Sequence, residues 1–181
     1  ARFLMLGTPN KGSYAIPWLL TGRDSFIKKL NLLDFGSSMK KLLGIICKFP
    51  GILELLPSYG NYDLFDPVIC GQLAVVDDNN NHKWPEPAST KLAEAKDVHE
   101  RITNSPVDPD RMFYIAGCSP ATPIDLEIED DDGEKRIIFK ATARGDVRVP
   151  WFTSMLPEVK TWYMDAFHGD LANHEDGFDA I

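Results

Sequence analysis

The residues of this chain best suited to acid–base chemistry lie near its C-terminal end, in the stretch Arg144 to Asn173. It reads RGDVRVPW, then TSMLPEVK, then TWYMDAFHGDLAN. Asp146 follows one extended run and precedes Val147. His168 stands 22 residues further on, at the end of a second extended run and before Gly169. In an open sheet of parallel strands, reacting groups collect at the carboxyl ends of the strands. A carboxylate held against an imidazole fixes the ring's tautomer and stabilises its protonated form. The ring can then move protons between a nucleophile and a leaving group. Aspartate before histidine is also the order in which acid and base follow the serine in one class of Ser-Asp-His triads. Asp146 and His168 are therefore the candidate catalytic residues.

Composition narrows the setting of this pair. The chain has 181 residues, enough for one domain with a real core. Its net charge of −8 argues against nucleic-acid binding, which needs a basic face. Cys47, Cys70 and Cys118 are widely spaced, with no CxxC pair, so they suggest neither a zinc site nor a disulfide framework and read as small buried hydrophobes. No signal peptide or transmembrane span is visible, and the compartment stays open, a soluble cytoplasmic protein being one fit. The chain opens on an apolar run and stops at GFDAI, in what reads as the start of a helix; it reads as a piece of a longer protein.

The elements that must position the pair follow in order. Residues 2–6 (RFLML) form the continuous apolar run expected of a parallel strand buried on both faces, closed by the Gly/Pro loop 7–13. From Tyr14 to about Asp110 the texture becomes short helices and loops. Asp24 or Ser25 can cap a helix carrying Phe26, Ile27, Leu30 and Leu33, and Ser37 or Ser38 can cap another carrying Met39, Leu42, Leu43 and Ile46, which Pro50-Gly51 ends. Residues 77–81 read as a solvated loop. A helix follows at about 89–103 with Leu92, Ala95, Val98 or His99, and Ile102 inward; otherwise His82 and His99 read as exposed or part of the insert and carry no assigned role. Residues 111–116 resume the buried-strand pattern. Ile124, Leu126 and Ile128 alternate with acidic residues, the 130–133 run turns, and a second strand runs back toward Asp146. Residues 160–167 give the last strand and 171–181 begin a closing helix.

Four landmarks carry a family resemblance. RFLMLGTPNKGS, LLPSYGNYDLFDP, RGDVRVPW and HGDLAN resemble, in this order, segments of α/β-hydrolase lipases similar to lecithin:cholesterol acyltransferase: the strand and loop after the nucleophile helix, the lid region, the acid motif Gly-Asp-Gly-Thr-Val-Pro, and the histidine motif. The resemblance implies the C-terminal part of an α/β-hydrolase fold, mainly a parallel sheet with flanking helices. Residues 1–13 would be a core strand and loop, 14–110 a helical lid or cap insert, and 111–181 core strands, hairpin and closing helix. It implies Asp146 as triad acid and His168 as triad base, with no cofactor and no metal. Thr8, Pro9 and Trp151 become candidates for substrate contact, the substrate being a lipid or other ester and the lid offering a lipid interface.

Two departures stand out. Val147-Arg148 replaces the family's Gly-Thr, removing a flexible glycine after the acid. No Gly-x-Ser-x-Gly occurs, so the nucleophile of a lipase, esterase or acyltransferase would lie upstream of this chain; Ser13, Ser38, Ser58, Ser119 and Ser154 lack that context. The alternative class is a catalytically inactive, hydrolase-like interaction domain. His168, Asp170, His174 and Asp176 match no standard metal spacing, and Asp130–Glu134 reads as a hairpin turn rather than a calcium loop. The lysine-flanked helix near 37–49 packs on the body or faces lipid, the first being the ordinary fate of an amphipathic helix.

Overall fold

In the computed structural model, which describes residues 2–33, 38–76 and 84–175, the chain is a mixed α/β structure. Three strands form a parallel sheet in the order β1 (Phe3–Leu6), β2 (Met112–Gly117), β5 (Lys160–Met164). β2 is central, with Phe3 opposite Met112 on one side and Phe113 opposite Lys160 on the other. Alternation sends Met5, Tyr114 and Ala116 to one face, where Val159, Trp151, Met155 and Leu156 cover them. Leu4, Leu6 and Ile115 go to the other, against Met164, Ala166 and Leu171. β1 stands at the edge of the described sheet, so its Phe3 end is exposed rather than buried on both faces.

Between β1 and β2 lies the helical segment: α1 (Ala15–Leu20), α2 (Ser25–Leu33), α3 (Met39–Ile46), α4 (Pro50–Leu53), α5 (Pro67–Val75) and α6 (Ser89–Thr103). The caps explain the boundaries. Asp24 accepts from the Phe26 amide at 2.8 Å, and Ser38 from the Lys41 amide at 3.3 Å. Pro50 does not end α3; it opens α4 at the first helical position, where its missing N–H costs nothing. α5 is not expected from the sequence, because PVICGQLAV is apolar all round and shows no period; its start is nonetheless marked, with Asp66 accepting from the Val68 amide ahead of Pro67. On α6 it is His99, not Val98, that turns inward with Leu92 and Ala95, while Ile102 is exposed. The expected loop at 77–81, His82, and the greater part of the expected closing helix lie outside the described residues; 171–175 form turns with Leu171 buried.

Strands β3 (Thr122–Asp131) and β4 (Glu134–Thr142) make a separate antiparallel ribbon. Its two-residue turn, Asp132-Gly133, has positive φ at both positions (52° and 88°), as a type I′ turn requires. Leu126 and Ile137 bury one face of the ribbon in the same cluster as Tyr14, Leu20, Leu53, Leu56, Leu64, Leu73, Trp84 and Leu92. The helical segment thus packs around a core of its own, sealed by the ribbon. α2 and α3 form a smaller outlying cluster of Ile27, Met39 and Leu43. Cys47 and Cys70 are buried and Cys118 is half-buried; all three are free thiols. No helix among the described residues is long and apolar enough to cross a membrane.

His99 makes this core sensitive to acid. Burial pushes its pKa down, while the Glu54 and Leu56 backbone beside it and the Glu54 charge pull the other way. As pH falls through about 6.5, the unfolded chain takes up this proton before the folded one does. Stability present at neutral pH is therefore lost on acidification. The drop in Tm between pH ~7.5 and pH ~5.5 is expected to be smaller in His99→Gln than in the native chain. An equal drop in both would place the acid sensitivity elsewhere.

Candidate active site

Three strand ends converge on one carboxylate. β1 runs into Gly7, whose N–H donates to the Ile115 carbonyl at 2.9 Å, and β2 ends at Gly117. A Cβ at Gly7 would sit 2.6 Å from Asp146 Oδ2 and 2.9 Å from His168 Nδ1; one at Gly117 would sit 2.8 Å from Asp146 Cβ and 2.3 Å from the Ala166 carbonyl oxygen. The absence of side chains at these two glycines is what lets Asp146 reach the carboxyl edge of the sheet. β5 ends at Met164, and His168 opens a short 3-10 turn, His168–Asp170, just beyond it.

The two candidates meet as expected. His168 Nδ1 lies 2.9 Å from Asp146 Oδ2, and the His168 amide donates to the Asp146 carbonyl at 2.9 Å. Asp146 is 1% exposed. Its Oδ1 accepts two backbone amides, Arg148 at 3.0 Å and Val149 at 2.6 Å. A buried carboxylate is tolerated only when paired and hydrogen-bonded, and here both oxygens are engaged. An ionised carboxylate can only accept, so the proton between them belongs to Nδ1 and leaves Nε2 as the ring's acceptor. Nε2 makes no hydrogen bond to any described residue. That is the tautomer a general base needs.

Asp146 arrives on the second strand of a hairpin, as the sequence reading has it, but that hairpin stands apart from the parallel sheet. The extended run before it is not a strand of the parallel sheet but β4 of the separate ribbon. Gly145 and Pro150 then bridge, and the Trp151 amide donates to the Arg144 carbonyl at 3.0 Å, closing a tight loop around the acid. Thr122, fully buried at the start of β3, accepts the Val147 amide on its Oγ1 at 2.9 Å and pairs with Ser119 Oγ at 3.0 Å. Sequence reasoning misses Thr122, since a threonine opening a strand carries no distinguishing pattern. Val147, the first residue after the acid, holds a left-handed backbone conformation of the kind glycine adopts freely, with φ +82°. For a β-branched residue this is strained.

An apolar cavity of about 270 Å³ opens beside the imidazole, lined by His168, Val149, Ile16, Leu19, Phe26 and Leu55 among others. Of the three candidate contact residues, Pro9 lines it. Thr8 instead turns its carbonyl to the Tyr114 hydroxyl at 3.1 Å, and Trp151 donates its indole N–H to the Gly117 carbonyl at 2.7 Å and packs on Tyr163. Neither lines the cavity; both brace the strand ends behind it. Ser13 also lines the cavity, but its hydroxyl donates to the Arg148 carbonyl and accepts the Ala15 amide, so it does not serve His168. Among the described residues no three metal-ligating side chains gather.

Two substitutions test this geometry. Gly7→Ala is expected to push Asp146 and His168 apart, seen as loss of a downfield Nδ1 proton resonance of His168 while the β2 amide resonances stay folded. Retention of that resonance would mean the pair does not depend on the empty space at Gly7. Val147→Gly should relieve backbone strain costing ~1–3 kcal/mol, less the ~0.5–1 kcal/mol entropy cost of a glycine, for a net gain of about 1 kcal/mol. Val147 is half-open to solvent, so little packing is lost. A lower midpoint in chemical denaturation would contradict the strain argument.

No protein-family model, no curated protein and no solved structure matches this chain.

Proposed function

We propose that Asp146 and His168 are the acid and base of a Ser-Asp-His triad, acting in acyl transfer through an acyl-serine intermediate. The observation that carries the reading is the 2.9 Å contact between a buried carboxylate and His168 Nδ1, with the carboxylate's second oxygen held by two amides. In this mechanism the imidazole removes the proton of the serine hydroxyl as it attacks an ester carbonyl, then returns a proton to the leaving alcohol. Asp146 stays ionised throughout and stabilises the imidazolium. Water as second acceptor gives a lipase or esterase; an alcohol gives an O-acyltransferase. The same reading makes the parallel sheet the late strands of an α/β-hydrolase fold.

The serine belongs, on this reading, to a segment preceding β1 in a longer parent, because the acid and base follow the nucleophile in chain order. The cavity beside His168 would take the acyl chain, since its walls are mostly hydrocarbon. Phe26, Leu19 and Ile16 come from α1 and α2, so the helical segment walls the site, as a lid does. The outer faces of α2 and α3, with the turn after α3, favour a lipid surface as the place of action: Leu32, Leu33, Ile45 and Phe49 are exposed, interspersed with exposed Lys28, Lys29, Lys40, Lys41 and Lys48.

The test has two parts. The 181-residue chain alone should not label with a fluorophosphonate probe, since it supplies neither serine elbow nor oxyanion hole; stoichiometric labelling would sink the placement of the nucleophile. Joined to its native upstream coding sequence, it should hydrolyse a short-chain ester, with Asp146→Asn or His168→Ala reducing kcat by about 10³–10⁴. A parent without a reactive serine would overturn the enzymatic reading in favour of an inactive interaction domain.

A further inference from the structure

We infer that Asp24 and Arg148 are positioning residues, which tie the start of α2 to the triad acid so that the helix walling the cavity and the carboxylate of Asp146 hold each other in place. Arg148 lies two residues after Asp146 and is engaged three ways. Its amide donates to Asp146 Oδ1 at 3.0 Å. Its carbonyl accepts the Ser13 hydroxyl, on the loop after β1. Its guanidinium donates from Nη1 to Asp24 Oδ2. Asp24 is equally divided. It is 3% exposed; Oδ1 accepts the Phe26 amide at 2.8 Å and so caps α2, its backbone carbonyl accepts the Lys28 amide at 3.1 Å, and Oδ2 takes Arg148.

The chain of contacts runs from the first turn of α2 through Asp24, Arg148 and Asp146 to His168, with no gap. The burial of Asp24 raises the stakes, because a buried carboxylate that loses its partner keeps its desolvation penalty uncompensated. If α2 swings away with Asp24, Arg148 is released and Asp146 loses the constraint on one of its two amide donors. Val149 then has to hold Oδ1 alone. Conversely, a loosened acid loop withdraws Arg148 and leaves the α2 cap charged and buried. Such coupling is reciprocal by thermodynamic necessity. Phe26, two residues past Asp24, carries the same motion into the cavity wall. The acid loop is also a place where the sequence departs from its resemblance: Arg148 stands where the family motif has threonine.

This role rests on the triad proposed for the site, but amide exchange reports the coupling whether or not the site turns over, so the two can fail separately. In the 181-residue chain, Asp24→Asn removes the charge on α2. The amides of Val149 and His168, which bond to Asp146, are expected to exchange at least about fivefold faster, together with those of Phe26 and Lys28, while Ile115 in β2 is unchanged. Acceleration confined to Phe26 and Lys28 would reduce Asp24 to a helix cap and overturn the inference. If Asp24→Asn also accelerates Ile115, the fold itself has loosened, and Arg148→Met becomes the deciding variant. That substitution must then accelerate Phe26 and Lys28, which are far from Arg148 in sequence, and Arg148→Lys should do so less. Unchanged exchange at Phe26 and Lys28 in Arg148→Met, with Ile115 protected, would overturn the inference from the other side.

Discussion

The structure around the site depends on a single constraint, the burial of the Asp146 charge. An ionised carboxylate withdrawn from water must have its lone pairs met, or it protonates. Here Oδ1 is met by two amides of its own loop and Oδ2 by the imidazole of His168. Every neighbour yields to that requirement. Gly7 and Gly117 give up their side chains, since a Cβ at either would fall within 3 Å of Asp146. Val147 accepts a strained backbone so that the amides of residues 148 and 149 can point at Oδ1. Thr122 binds the amide of the strained residue and keeps the loop from relaxing.

The energetics of this arrangement are distributed over elements far apart in sequence. The ribbon β3–β4 supplies Thr122 to the acid loop at one end and Leu126 and Ile137 to the helical core at the other. β1 supplies Gly7 and the loop carrying Ser13; α2 supplies Asp24. The acid loop is therefore wedged between the parallel sheet, the ribbon and the helical segment. Interiors of this kind are close-packed and transmit displacement rather than absorb it. The helical segment reaches Asp146 through Asp24 and Arg148, the ribbon through Thr122 and the Val147 amide, and the sheet through the close approach of Gly7 and Gly117.

The legibility of these features in the sequence is uneven, for physical reasons. Asp146 and His168 can be singled out because loop residues at strand ends leave a local mark: an extended run, then glycine or proline. β1, β2, the hairpin turn and the caps at Asp24 and Ser38 leave similar local marks and lie where those marks put them. α5 leaves no period to read, because it is apolar on all sides, and the end of α3 is misplaced because a proline that opens one helix looks like one that stops another. The membership of β4 in a separate ribbon, the carbonyl-bound roles of Thr8 and Trp151, and the Asp24–Arg148 pair are long-range facts. Alternation tells which face of a strand is wet, not which sheet the strand joins. The burial of His99 falls between these cases: its helical spacing with Leu92 and Ala95 places it on the inward face, but residue type alone suggests exposure.

A buried carboxylate also sets what the histidine can do. Within a low-dielectric pocket, an ion pair or charged hydrogen bond is stronger than in water, and an unpaired one is costlier. While His168 is neutral, its Nδ1 proton already offsets part of the Asp146 charge. Oδ2 of Asp146 lies 2.9 Å from Nδ1, and the acid is buried while the ring is half-open. On the proposed acyl-transfer reading, positive charge developing on the ring would face the Asp146 carboxylate directly. A surface aspartate at the same distance would gain far less, because water screens exposed pairs. The depth of Asp146 beneath the strand ends, rather than the Asp–His contact alone, is what distinguishes this pair from an ordinary aspartate–histidine hydrogen bond.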